Sequence, residues 1–159
     1  MPDARMQDEQ TLIPLIGRIN RTYRRMLDRL LAAHGLSEAQ ALPVMMIARL
    51  GGGIRQGVVA HHLGIEAPSL VRQLDQLCAV GLVERRDDPK DGRAKALYLS
   101  DEGRTLAAEI ETLVGECRER MLSHASDQDL AAALRVLSGL EAKLERELGL
   151  TFDTLDLVR

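Results

Sequence analysis

The sequence predicts a mainly α-helical fold carrying one short β-hairpin, and three observations lead there. Apolar residues recur at steps of three and four through most of the chain; two short helical stretches meet at a tight turn around Gly64; and two β-forming runs flank a charged, turn-rich segment at 87–92. Each element follows from local chemistry.

From Leu12 to Leu31 the residues Ile16, Ile19, Tyr23, Met26, Leu27 and Leu30 fall on one helical face, and Gly35 supplies a stop. Ser37 and Gln40 have capping-box spacing ahead of a second helix, whose apolar face is Leu42, Met45, Met46 and Leu50. Pro43 has no N–H to bond back to Ala39, so a local kink is expected before Gly51-Gly52-Gly53 ends the helix. A short third helix over 55–63 stops at Gly64, and after Gly64-Ile65-Glu66 a fourth begins with Pro68 in its first turn, where the missing N–H costs least. Two short helices around so tight a turn are a helix-turn-helix pattern. In the fourth helix Leu70, Leu74 and Leu77 line one side, and Ser69, Arg72, Gln73 and Gln76 lie toward the other.

Gly81 closes that helix, and 82–86 reads as a strand, followed by the turn at 87–92 and a second strand from Ala94 to Leu99. Ser100 caps a long fifth helix, with Asp101 and Glu102 at its positive end and Ile110, Leu113, Val114, Cys117 and Met121 as its stripe. Ser126 caps a sixth, marked by Leu130, Leu134, Leu137, Leu140, Leu144 and Leu148. The first and the last two helices carry more leucine and isoleucine than a small domain can cover. A second copy of the chain, related by a two-fold axis, is the expected cover.

With 159 residues, 45% hydrophobic and 28% charged, the chain can bury a core without metal or disulfides, and its composition is that of a soluble globular protein. No apolar run nears the roughly 20 residues that span a bilayer, and the opening MPDARMQDEQ has no apolar core of an export signal. A cytoplasmic location with no membrane partner is expected. The net charge of −3 is unevenly distributed: Lys and Arg against Asp and Glu number 7 to 5 over 1–52, 7 to 6 over 53–100 and 7 to 13 over 101–159. The middle third groups its cations at Arg85, Arg86, Lys90, Arg93 and Lys95, around the hairpin.

The run GIEAPSLVRQLDQLCA over 64–79, then GLVERR over 81–86 and DDPKDGRAK over 87–95, resembles the MarR family of bacterial transcription regulators, most closely its SlyA-like branch. The likeness covers roughly 10–125 in element order and is specific over 64–103. It implies a winged helix-turn-helix over 36–100, a helical dimerisation region from 1–35 and 101–159, and a homodimer on a pseudo-palindromic double-stranded DNA operator, with repression the commoner outcome. By matched position it puts Pro68, Ser69 and Arg72 in the major groove and Arg93 of the wing in the minor groove. It also implies a small-molecule effector, an aromatic acid or other amphipath, in a cleft bordered by helices 1, 2 and 5, where Arg18, His34, Met45 and Met46 are candidates.

Physical chemistry reaches the same residues. An outward guanidinium at Arg72 can bond guanine in a bidentate way, and a hairpin arginine at Arg93 suits a narrow minor groove with its strong negative potential. Gln73 and Gln76 share the outward side of the fourth helix, and Arg86, Lys90 and Lys95 supply the wing's phosphate-directed charge. Arg85 or Arg86 could instead pair with Glu84 or Asp88, and Asp91 could hold Arg93 or Arg86.

Cys78 and Cys117 fit no ligand or redox spacing and read as small buried groups. His61-His62 has no further ligand at useful sequence spacing, so no metal is expected. Nucleophile, base and orienting group do not recur together, and no glycine-rich phosphate loop occurs, so neither an enzyme nor a cofactor is expected. The near-neutral middle third keeps a second reading open, a winged-helix adaptor that holds a protein partner.

Overall fold

In a computed structural model of the chain, residues 4–89 and 91–149 are described, and the chain divides into two units, Met1–Leu42 and Pro43–Arg159. In the first unit, α1 (Ala4–Ala32) begins well before Leu12 and runs on through Pro14. The extension has no apolar periodicity to reveal it; Arg5 pairs with Glu9 one turn on at 2.9 Å, and the Thr11 hydroxyl donates to the Gln7 carbonyl at 2.8 Å. Leu27 and Leu31 are buried, whereas Ile19 is exposed despite its place on the expected face. At the start of α2 (Glu38–Arg49), the Gln40 backbone N–H donates to Ser37 Oγ at 3.3 Å. The Gln40 side chain accepts from the Ser37 hydroxyl at 3.0 Å, so the cap is a local pair and not the full reciprocal box.

The second unit holds the rest of α2, then β1 (Ile54–Arg55), α3 (Gln56–Leu63), α4 (Ala67–Ala79), β2 (Val83–Asp88), β3 (Asp91–Leu99), α5 (Asp101–Leu122) and α6 (Asp127–Leu148). The helix α2 is assigned without a break through Pro43, which is buried along with Val44, Met45, Met46 and Ile47. Gly64 makes the turn from α3 to α4: it adopts φ 61°, a left-handed conformation that costs a side-chain-free residue little. Its N–H bonds to His61 O at 3.0 Å and that of Ile65 to Ala60 O at 3.1 Å, which satisfies the carbonyls at the end of α3.

The sheet has three strands rather than two, in the order β1-β3-β2 and antiparallel throughout. The two-residue β1 is invisible to periodicity, because only its pairing with β3 (Ile54 opposite Leu97) makes it a strand. The hairpin strands are also longer than expected, reaching Asp88 and starting at Asp91, with a register shift between Asp87 and Asp88. The ladder extends through residues that look like turn formers in isolation.

The core of this unit is built from Val59 of α3, Leu70, Leu74 and Leu77 of α4, Val83 and Leu97 of the sheet, and Ile110 and Val114 of α5, each at most 2% exposed. Ser100 caps α5 by accepting the Gly103 N–H at 3.0 Å, and its own N–H donates to Leu82 O at 3.2 Å. A Cβ on Gly103 would collide with the Leu82 carbonyl, so glycine permits the helix to start against the chain entering β2. Ser126 and Asp129 form a full capping box at the start of α6, where a hydrogen bond from the Ser126 hydroxyl holds the Asp129 carboxyl below its ordinary pKa. No described residue of α6 is buried, and Leu134, Val136, Leu137, Leu144 and Leu148 are exposed.

Candidate nucleic-acid interface

Amphipathicity positions α4. Its leucines are sequestered beneath, so its other side must face solvent, and there Pro68, Ser69, Arg72 and Gln76 are all exposed. Gln73 is half-buried and sits at the edge of that surface. Among the described residues Arg72 has no ion-pair partner, so its guanidinium is available to an external acceptor. Asp75, one turn along, is engaged by Arg85 Nη1 at 2.6 Å, which removes the nearest competing anion from α4.

The β2–β3 wing is organised differently. Arg86 contacts Glu84 at 2.6 Å and lies over the Tyr98 ring, 4.7 Å from its centroid; Lys95 contacts Asp87 at 2.6 Å. Both cations are exposed but already neutralised. Arg93 is 97% exposed on its side chain, and its nearest carboxylate, Asp91, lies 3.7 Å away. The Asp91 carboxylate accepts the Arg93 backbone N–H at 3.2 Å, so it shapes the backbone beneath the arginine. Of the pairings weighed for Asp91, the one with Arg93 is present, joined by Arg55 at 3.6 Å. Lys90 lies outside the described residues.

Sequence reasoning missed Arg55. Its Nε donates to the buried Asp88 at 2.7 Å, and that hydrogen bond, with the charges of Asp88 and Asp91, raises the guanidinium above its ordinary pKa. One residue of β1 thus holds both ends of the hairpin tip. The only signal in the sequence was a single arginine after three glycines, too weak to read without the sheet.

The effector candidates divide between the units. Arg18 and His34 are exposed on the first. In the second, Met45 lines a cavity of about 540 Å³ with Tyr98, Leu99, Arg104 and Ala107, among others, while Met46 is buried and not part of the lining. Arg49 and Glu111 also line the cavity and form a two-point ion pair, 2.9 and 3.1 Å. Arg104 is held by the Leu99 carbonyl and by Asp101.

Cys117 is buried on the α5 stripe and Cys78 half-buried at the end of α4. The expectation that His61 lacks ligand-type neighbours is corrected: Glu141 and Glu145 of α6 stand beside it. Their distance in sequence hid them. No described helix is long and apolar enough to cross a membrane.

A profile of the MarR family matches residues 34–94. The crystal structure of the transcriptional regulator PA3341 is 34% identical, with 84% of this chain and 97% of that one covered and a TM-score of 0.77. SlyA, also a transcriptional regulator, superimposes with a TM-score of 0.73 over 86% of this chain and 96% of its own at 17% identity, a likeness of fold. A mutant MarR from E. coli, solved in complex with operator DNA, matches at 24% identity and a TM-score of 0.65 over 81% of this chain and 94% of that one.

Proposed function

Because this chain belongs to the MarR family and is a transcriptional regulator of that type, we propose that it binds a pseudo-palindromic operator as a homodimer and acts as a repressor. The observation that carries the DNA reading is the α4 surface: an exposed, unpaired Arg72 beside Ser69 and Pro68, on a helix whose other side is anchored by three buried leucines. The MarR–operator complex supports this use of the fold, at the level of fold. On this reading Arg72 contacts base edges in the major groove, with Ser69, Gln73 and Gln76 beside it. Arg93 enters the minor groove and Lys90 contributes a phosphate contact, while Arg86 and Lys95 stay engaged with Glu84 and Asp87 and hold the wing in shape.

The exposed apolar residues of α1 (Met6, Ile13, Leu15, Ile19) and of α6 support a dimer, each on its own unit. The division of labour is 36–100 for DNA and 1–35 with 101–159 for dimerisation, the two α4 helices standing about 34 Å apart on one face of the duplex. The Met45-lined cavity, mostly apolar with Arg49 and Arg104 in its lining, paired to Glu111 and Asp101, is the place we assign to a small amphipathic or aromatic-acid effector. A regulator of this kind acts in the cytoplasm, and no catalytic role is proposed.

Selection of bound sequences from a random duplex pool, followed by a salt titration on the winner, tests the proposal. A two-fold symmetric consensus whose affinity falls steeply with salt is expected, because each neutralised phosphate releases counterions. No enriched sequence and no salt slope, with capture of a protein partner instead, would replace it with the adaptor reading.

A further inference from the structure

Outside the DNA-facing surface, the described residues include one cluster whose donor types are those of a metal site. His61 near the end of α3 meets Glu141 and Glu145, one turn apart on α6, with one ligand atom from each residue lying within 4.8 Å of the others. Two carboxylates at that helical spacing repel one another, so their convergence on an imidazole needs a compensating charge.

The ordinary explanation is a His61–Glu145 ion pair, and the distance of 3.1 Å from Nε2 to Oε1 allows it. The alignment does not serve it well. Glu145 Oε1 is shut off from solvent and receives no hydrogen bond, and the Glu145 side chain as a whole is only 13% exposed. A buried carboxylate oxygen with no donor is costly, and such an atom is what a cation site presents to its ion.

We propose that His61, Glu141 and Glu145 form a binding site for a divalent transition-metal ion of the zinc class, tying α3 to α6. The donor set, one imidazole nitrogen and two carboxylate oxygens, suits zinc and its first-row neighbours; it is too nitrogenous for a calcium site and lacks the thiolates that select copper(I). Around an ion with bonds of about 2.0–2.2 Å, tetrahedral donors stand roughly 3.4 Å apart. His61 and Glu145 are already near that separation. Glu141 is exposed and closes the remaining gap by a change of rotamer. Three protein ligands leave a fourth position for water. The inference does not depend on the DNA reading, since it uses no residue of that surface.

The test is calorimetric titration of the chelator-treated full chain with Zn²⁺, repeated with Co²⁺ under absorption spectroscopy. About one ion per chain is expected, with His61→Ala, Glu141→Gln and Glu145→Gln each weakening binding at least about tenfold, and with His34→Ala, an exposed histidine of the first unit, unchanged. Glu141 is exposed, so its variant reports on the ligand without endangering the fold. Absence of binding by the unaltered chain, or equal binding by all three ligand variants, would overturn the site. A cobalt spectrum with a thiolate charge-transfer band would do the same, by placing the ion on Cys78 or Cys117.

Discussion

The outer side of α4 and the β2–β3 wing both present arginine to solvent, yet they are built on opposite principles. On α4 the apolar side does the anchoring, and Arg72 is left without a counter-ion among the described residues. On the wing there is little apolar anchoring beyond its base, and order comes from ion pairs: Arg86 with Glu84, Lys95 with Asp87, Arg55 with Asp88. A helix fixed by its core can keep its charges free for a partner, whereas a hairpin fixed by charges engages most of those described and leaves Arg93 the most exposed of them, with only a 3.7 Å contact to Asp91. Counting cations along the sequence therefore overstates what the wing offers to phosphate.

The comparison can be broken from beneath or sharpened at the surface. The largest effect is expected from Leu74→Ala, which leaves a cavity under α4 and costs about 2–5 kcal/mol of stability, read by denaturant unfolding. A loss below about 1 kcal/mol would show that α4 is not held by its leucines. On the wing side, Gly103→Ala drives a methyl into the Leu82 backbone and is expected to cost about 1–3 kcal/mol in the same assay.

Arg72→Ala leaves stability unchanged and is expected to weaken operator binding by about 1–3 kcal/mol while relaxing preference at one base pair per half-site, measured on a panel of operator variants. Arg93→Ala is expected to weaken all operators alike and to lower the salt slope by about one unit. Matching losses at every operator for both variants would remove the distinction between helix and wing. The smallest effect belongs to the double variant Asp87→Ala with Lys95→Ala, which removes a neutral pair and is expected to leave affinity within about twofold. A drop as large as that of Arg93→Ala would mean that the pair opens on DNA.

How much of this was legible beforehand differs by residue. The six helices, the turn at Gly64, the caps at Ser100 and Ser126 and the outward placement of Arg72 all follow from spacings within a few residues, and they were readable. The start of α1 was not, because polar helix formers such as Arg5 and Glu9 leave no apolar period. Gln73, grouped with the outward residues by its polarity, turned out half-buried at the edge of the stripe.

Sequence alone determined whatever is encoded by local periodicity and capping: the element order, the buried side of α4 and the family likeness. Only the tertiary structure decided which distant residues meet: Ile54 with Leu97, Arg55 with Asp88, Gly103 with the Leu82 backbone, His61 with Glu141 and Glu145. The reason is physical. Helical spacing and end caps are satisfied within a turn or two of chain, whereas a strand of two residues, a buried ion pair or a three-donor cluster takes its stability from partners brought close by folding, and leaves no periodic mark on the residues that form it.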